Sequence, residues 1–168
     1  MRAEDDPSWA AYAETLLALG PVDGDGVADT DGVAVDLREA LTPNHRVALA
    51  GLGLQAPFAV LTAHNPRGRI VDAEENGRRG ALLVAALARA GVPWIPAVGM
   101  SPDGSHREPG VAAHLPLPVA ARTAAEWEQS AFFWFDGDVF WLVGALVDAP
   151  PARLPVPRHG NDAPSTQR

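Results

Sequence analysis

No cysteine occurs in the 168 residues, so the chain has no disulfide framework, no thiolate nucleophile and no Cys-ligated zinc or iron-sulfur centre. That absence fits a reducing cytoplasm. Lysine is missing too, and all 13 basic residues are arginine; base composition alone can produce this bias, and arginine is also the better bidentate binder of carboxylate and phosphate. Positive charge is scarce overall. A net charge of -8 argues against nucleic acid and against anionic membrane surfaces, both of which require a positive field. No window approaches the roughly 18 consecutive apolar residues of a membrane span. The acidic start MRAEDDPSW lacks the basic and apolar regions of a secretory signal. The expectation is a soluble cytoplasmic protein with no membrane partner.

What is present describes a globular chain. Its length fits one core, and 47% hydrophobic with 20% charged residues is too apolar for disorder. Trp9, Tyr12, Leu16 and Leu19 recur at helical spacing up to Gly20, which predicts an amphipathic helix. The Gly- and Asp-rich stretch 20–32 lacks the terminal Glu and flanking helices of a calcium loop and reads as an acidic linker. VAVDL at 33–37 alternates as a strand. Thr42-Pro43 caps a short helix over 43–50, and the nearly unbroken apolar run 57–63 reads as a central strand covered on both faces. Asp72 and Glu75 form a capping-box pattern for a helix over 73–90 that ends at Gly91. Residues 93–100 and 105–113 make a hairpin through SPDGS. A helix at 118–129 follows, then a second hairpin, AFFWF to DVFWLV, turning at Asp136-Gly137. From 149 onward, prolines and polar residues without periodicity have the composition of a disordered tail.

This element order predicts an α/β domain of the α+β type over residues 1–148. It has a single mixed sheet of five or six strands, two C-terminal hairpins and helices packed mainly on one face; the tail is 149–168.

One loop stands out. HNPRGR at 64–69 lies where a strand's carboxyl end meets a following helix, a place where ligands often bind in α/β folds. Arg67 and Arg69 supply positive charge for phosphate or carboxylate, and Thr62 and Asn65 neutral hydrogen bonds. Asn76 falls on the same helical stripe as Leu83 and Leu87, and Arg79 lies nearby. The bland reading is that Asn65, Pro66 and Asn76 only shape the joint. No Rossmann, P-loop or nucleophile-elbow spacing occurs. His106 and Glu108 stand two apart on one strand face, with Asp103 in the preceding turn, and could act as an acid-base pair. A metal would need a third ligand that only guesswork (His64 or His114) supplies, so neither metal nor cofactor is expected. The aromatic run Phe132, Phe133, Trp134, Phe135, Phe140 and Trp141 is either buried in the monomer or part of a partner surface.

The order Thr62-Ala63-His64-Asn65-Pro66, Glu75-Asn76, Ser101-Pro102-Asp103-Gly104, Glu108-Pro109, Gln129-x-Ala131 and an aromatic hairpin resembles a bacterial family of unknown function, DUF3293, over about residues 57–143. In that family an aromatic usually stands at the position of His64, and Phe-Gly at the positions of Trp127-Glu128. The resemblance implies a domain and no activity. The residues themselves suggest a polar pocket for a small anionic metabolite or nucleotide. Its ligand-binding residues are Thr62, Asn65, Arg67, Asn76, Arg79, Asp103 and Gln129, with His106 and Glu108 as the catalytic candidates. The competing expectation is an interaction or regulatory module, such as a homodimer through the aromatic hairpin.

Overall fold

A computed structural model describes residues 1–21, 23, 28–29 and 31–157. The chain runs α1 (Trp9–Tyr12), β1 (Leu16–Leu19), β2 (Val33–Asp36), α2 (Pro43–Gly51), β3 (Phe58–Leu61), α3 (Ala73–Arg89), β4 (Trp94–Met100), β5 (Arg107–Ala113), α4 (Leu117–Glu126), β6 (Ala131–Phe135), β7 (Phe140–Gly144) and β8 (Ala152–Arg153). All eight strands join one sheet in the order β2-β1-β4-β5-β3-β6-β7-β8. Every neighbouring pair is antiparallel.

This overturns the expected five- or six-stranded mixed sheet. The first additional strand is β1. Trp9 and Tyr12 do form a helical turn, but it ends at Tyr12, and Leu16–Leu19 continues as a strand between β2 and β4. A short apolar run such as LLAL fits a buried strand as well as a helix, and only its partners decide between them. The second is β8, two residues among prolines that pair with Trp141 and Leu142 on the outer edge of β7, where proline is tolerated. The adjacent Leu154 is buried, and its N–H donates to the Phe140 carbonyl at 2.9 Å. The proline-rich segment therefore follows the sheet at least this far. Positions 158–168 of the expected tail, and 22, 24–27 and 30 of the acidic linker, lie outside the described residues.

The expectation that helices pack mainly on one face is also corrected. Leu83 and Leu87 of α3 and Ala120 and Ala124 of α4 pack with Ala59, Leu61 and Phe132 on one face. Trp9 and Tyr12 of α1 and Leu49 of α2 pack with Phe58, Val60 and Phe133 on the other. Alternate residues of β3 thus enter different cores, which explains its unbroken apolar sequence. Val35 and Leu37 from one end of the sheet meet Phe140 and Leu154 from the other around a small void. The sheet curls into a half-barrel whose concave face holds α1 and α2. Among the described residues no helix is long and apolar enough to cross a membrane.

Candidate functional site

The site begins where β3 ends. The chain leaves the sheet after Leu61 and turns through Asn65 at φ 47° and Arg67 at φ 56° before entering α3. Asparagine accepts this left-handed conformation more readily than most residues, and the surroundings hold it there. The Asn65 backbone N–H donates to Asn76 Oδ1 at 2.8 Å. Asn76 Nδ2 donates back to Asn65 Oδ1 at 3.1 Å and lies 3.4 Å from the Val71 carbonyl. Asn65 Nδ2 donates to Glu108 Oε1 at 2.8 Å. Asn76 is within reach because α3 starts at its Asp72 cap, which accepts the Glu75 N–H at 2.8 Å. The Glu75 carboxylate does not close the box. It takes two hydrogen bonds from Arg78, which chiefly draw its pKa down.

The other predicted residues divide into two groups. Thr62 Oγ1 donates to the Pro109 carbonyl at 2.9 Å and accepts the His64 N–H at 3.1 Å, tying β3's exit to β5. Gln129, only 6% exposed, donates through Nε2 to the His64 carbonyl at 2.9 Å. His106 Nε2 lies 3.6 Å from Glu108 Oε1. These residues belong with Asn65 and Asn76. Arg67 and Arg79 are engaged elsewhere. Arg79 donates to the carbonyls of Ala63 at 2.7 Å and Trp127 at 3.0 Å and lies 3.6 Å from Glu128 Oε2. Arg67 Nε donates to Glu128 Oε1 at 2.8 Å, a bond that is the main reason the Glu128 carboxyl lies below its usual range. Asp103 serves its own turn, accepting from Ser101 Oγ at 2.6 Å and from the Ser105 N–H and Oγ at 3.0 and 2.8 Å. The Ser101 hydroxyl leads in bringing its pKa down to about 2.

Asn65, His106, Glu108 and Gln129 line a cleft of about 400 Å3. A smaller void of about 50 Å3, reached by Thr62, Glu108 and Gln129, extends toward Leu17, Val60 and Phe133 on the concave face. The cleft is also lined by residues that nothing in the sequence marks as part of a site, notably Ser8, Tyr12, Gly99, Ser130 and Phe133. Tyr12 is the chain's single tyrosine, and its helical phase concealed a polar end directed at a cavity. Its ring meets Phe133 edge-on, with centroids 6.3 Å apart at 73°. Burial, then the charges of Asp6 and Glu108, push its pKa up to about 12, so the hydroxyl keeps its proton at neutral pH. Burial also lowers the pKa of His64, with Glu108 opposing. Among the described residues no three His, Asp or Glu side chains gather as a metal site requires.

The aromatic hairpin is used within the two cores. Phe132, Phe133, Phe135 and Phe140 are buried. The half-buried Trp134 and Trp141 donate their indole N–H groups to the Leu115 carbonyl at 3.2 Å and Asp136 Oδ2 at 2.8 Å.

The Asn65–Asn76 pair is directly testable. Asn76→Ala leaves the Asn65 N–H without its acceptor and is expected to cost about 2 kcal/mol, or roughly 4–8 °C in Tm for a domain of this size. Calorimetry gives the Tm, and hydrogen exchange at the Asn65 amide should quicken. An unchanged Tm and amide would mean that solvent replaces the side chain.

Residues 61–132 match DUF3293, described as a protein of unknown function. None of the curated proteins and none of the solved structures matches the chain. The matched segment spans the polar residues from Thr62 to Gln129, whereas Tyr12 and Ser8, which also line the cleft, precede it. Within it Glu128 adopts φ 60°, a conformation glycine takes without penalty. The resemblance read from the spaced motifs is therefore supported over residues 61–132, the segment that matches the DUF3293 model.

Proposed function

We propose that the protein binds a small polar molecule in the cleft between the N-terminal turn and the Asn65–Glu108–Gln129 wall. The observation that carries this reading is the wall itself. Asn65, Glu108 and Gln129, from three separate segments, border a cleft of about 400 Å3, and Asn76 on a fourth fixes the Asn65 loop from behind. That volume falls within the range of ligand sites, where a few fixed polar groups orient a molecule against apolar walls. Rigid placement of those groups lowers the entropy lost on binding. The His106–Glu108 pair at 3.6 Å is suited to moving a proton on such a molecule.

Arg67 and Arg79, on which the expectation of an anionic metabolite or nucleotide rested, face Glu128 and backbone carbonyls instead. The wall thus supports a polar ligand without supporting a phosphate.

Gly99 offers a test that leaves the loop untouched. A Cβ at Gly99 would meet Thr15 Cγ2 at 3.7 Å, an ordinary contact, so Gly99→Val fits strand β4 while narrowing the cleft. In a thermal-shift screen of metabolites, a ligand at about 100 times its Kd adds about 2.7 kcal/mol, on the order of 5–10 °C. The expected result is a ligand whose shift disappears in a folded Gly99→Val protein. A shift that persists in that variant would locate binding elsewhere.

A further inference from the structure

We propose that the cleft takes a small organic cation, its ammonium group held by Glu108 against the rings of Tyr12 and Phe133. The inference rests on the reading of the cleft as a ligand site and assigns the charge of the ligand.

The lining contains no arginine, and its one carboxylate is Glu108. Of that carboxylate's oxygens, Oε1 accepts from Asn65 Nδ2 and faces His106 at 3.6 Å. No donor from the described residues reaches Oε2. Glu108 projects from β5, where it pairs across the strand with Gly99, so the register places no side chain opposite it. The carboxylate has a bonded oxygen that fixes its orientation and a second oxygen available to a ligand. This is the arrangement that charge-assisted recognition of an ammonium group requires.

Two further observations agree in sign. Asp6, 8% exposed, adds a carboxylate on the Tyr12 side. Its Oδ1 accepts the Ser8 N–H at 2.9 Å, while its buried Oδ2 has no hydrogen-bond partner. A buried carboxylate oxygen without a partner is costly, and a positive charge nearby lowers that cost. After burial, the charges of Asp6 and Glu108 both raise the Tyr12 pKa, in keeping with two carboxylates close to its ring. The Tyr12 and Phe133 rings supply the aromatic surface over which organic cations are favoured. An anion placed here would meet Glu108 with no arginine in the lining to offset it.

Titration calorimetry with two isosteric series tests this: butylammonium, butanol and butyrate, and benzylammonium, benzyl alcohol and benzoate. In the full-length protein each ammonium compound is expected to bind at least tenfold more tightly than its neutral and anionic counterparts. Glu108→Gln, whose Oε1 still accepts from Asn65, should fold with a near-unchanged Tm and lose that preference. Equal binding of the alcohol or the acid, or a preference that survives in Glu108→Gln, would overturn the cation assignment. If Gly99→Val still abolished that binding, the ligand-site reading would stand by itself. Failure of all six probes to bind at millimolar concentration would overturn the cation assignment alone, since the ligand-site reading is decided by the metabolite screen with Gly99→Val.

Discussion

Gly110→Ala is expected to destabilise the protein severely, by about 3 kcal/mol or more, and to leave little soluble folded product. A Cβ at Gly110 would be forced onto the Leu61 carbonyl oxygen and close to the Thr62 Cα. Both are backbone atoms that cannot rotate away. Gly110 sits on β5 beside the end of β3, one residue before the Val111↔Leu61 pair, and Thr62 Oγ1 is bonded to the neighbouring Pro109 carbonyl. Relief of the overlap would therefore separate the central strands and pull the Asn65 loop out of place. Gly99→Ala is the control, because its Cβ makes only an ordinary contact with Thr15. Urea unfolding of both variants checks the prediction: the Gly99 variant should unfold close to wild type and the Gly110 variant far below it. Similar midpoints would show that β3 and β5 separate easily and that the close approach stabilises nothing.

Phe140→Ala is the second large effect, expected at about 3–5 kcal/mol and about 10 °C or more in Tm. Phe140 is 2% exposed. Its ring centroid lies 4.9 Å from Phe135 and 6.0 Å from Phe58, and those two rings are 5.0 Å apart. Truncation removes two of the three ring contacts. It also enlarges the void where Phe140 meets Val35, Leu37 and Leu154 from the opposite ends of the curled sheet, a site that cannot readily collapse. The midpoint of urea unfolding should fall while its slope is unchanged, since the native state stays compact. A loss below about 1 kcal/mol would mean that β2 and β8 close over the missing ring, within the range of well-tolerated core changes.

Much of the fold was legible because the signals were local. Asp72, Gly91 and Pro93 bracket α3, Thr42-Pro43 starts α2, and SPDGS and Asp136-Gly137 turn the two hairpins. Each is a preference of a few adjacent residues. Less local elements were misread. Leu16–Leu19 has the composition of a helix end and becomes a strand only because β2 and β4 flank it. Ala152–Arg153 has no strand signal of its own and depends on the free edge of β7.

The candidate site divides in the same way. Asn65 at a strand end, Asn76 on a core-facing helix stripe and Glu108 on a hairpin strand face were identifiable from the residues, and Gln129 from the spaced motifs of the resemblance; the fold joins them. The partners of Arg67 and Arg79 were not legible because sequence shows charge without showing what neutralises it. Glu128 is two residues from α4's last turn, yet it reaches both Arg67 and Arg79. Tyr12 looked like core because its spacing is that of core.

By itself the sequence determined which segments turn, cap and alternate, the absence of cysteine chemistry, and the polar residues available for a site. Only the tertiary structure decided the strand count and antiparallel order, the curl that brings the N-terminal turn against β5, and the sign of the charge left facing the cleft. The reason is physical. Turns and caps depend on backbone preferences within a few residues, whereas strand pairing and charge neutralisation are settled between groups far apart in the chain, as with Arg67 and Glu128 or Asn65 and Glu108.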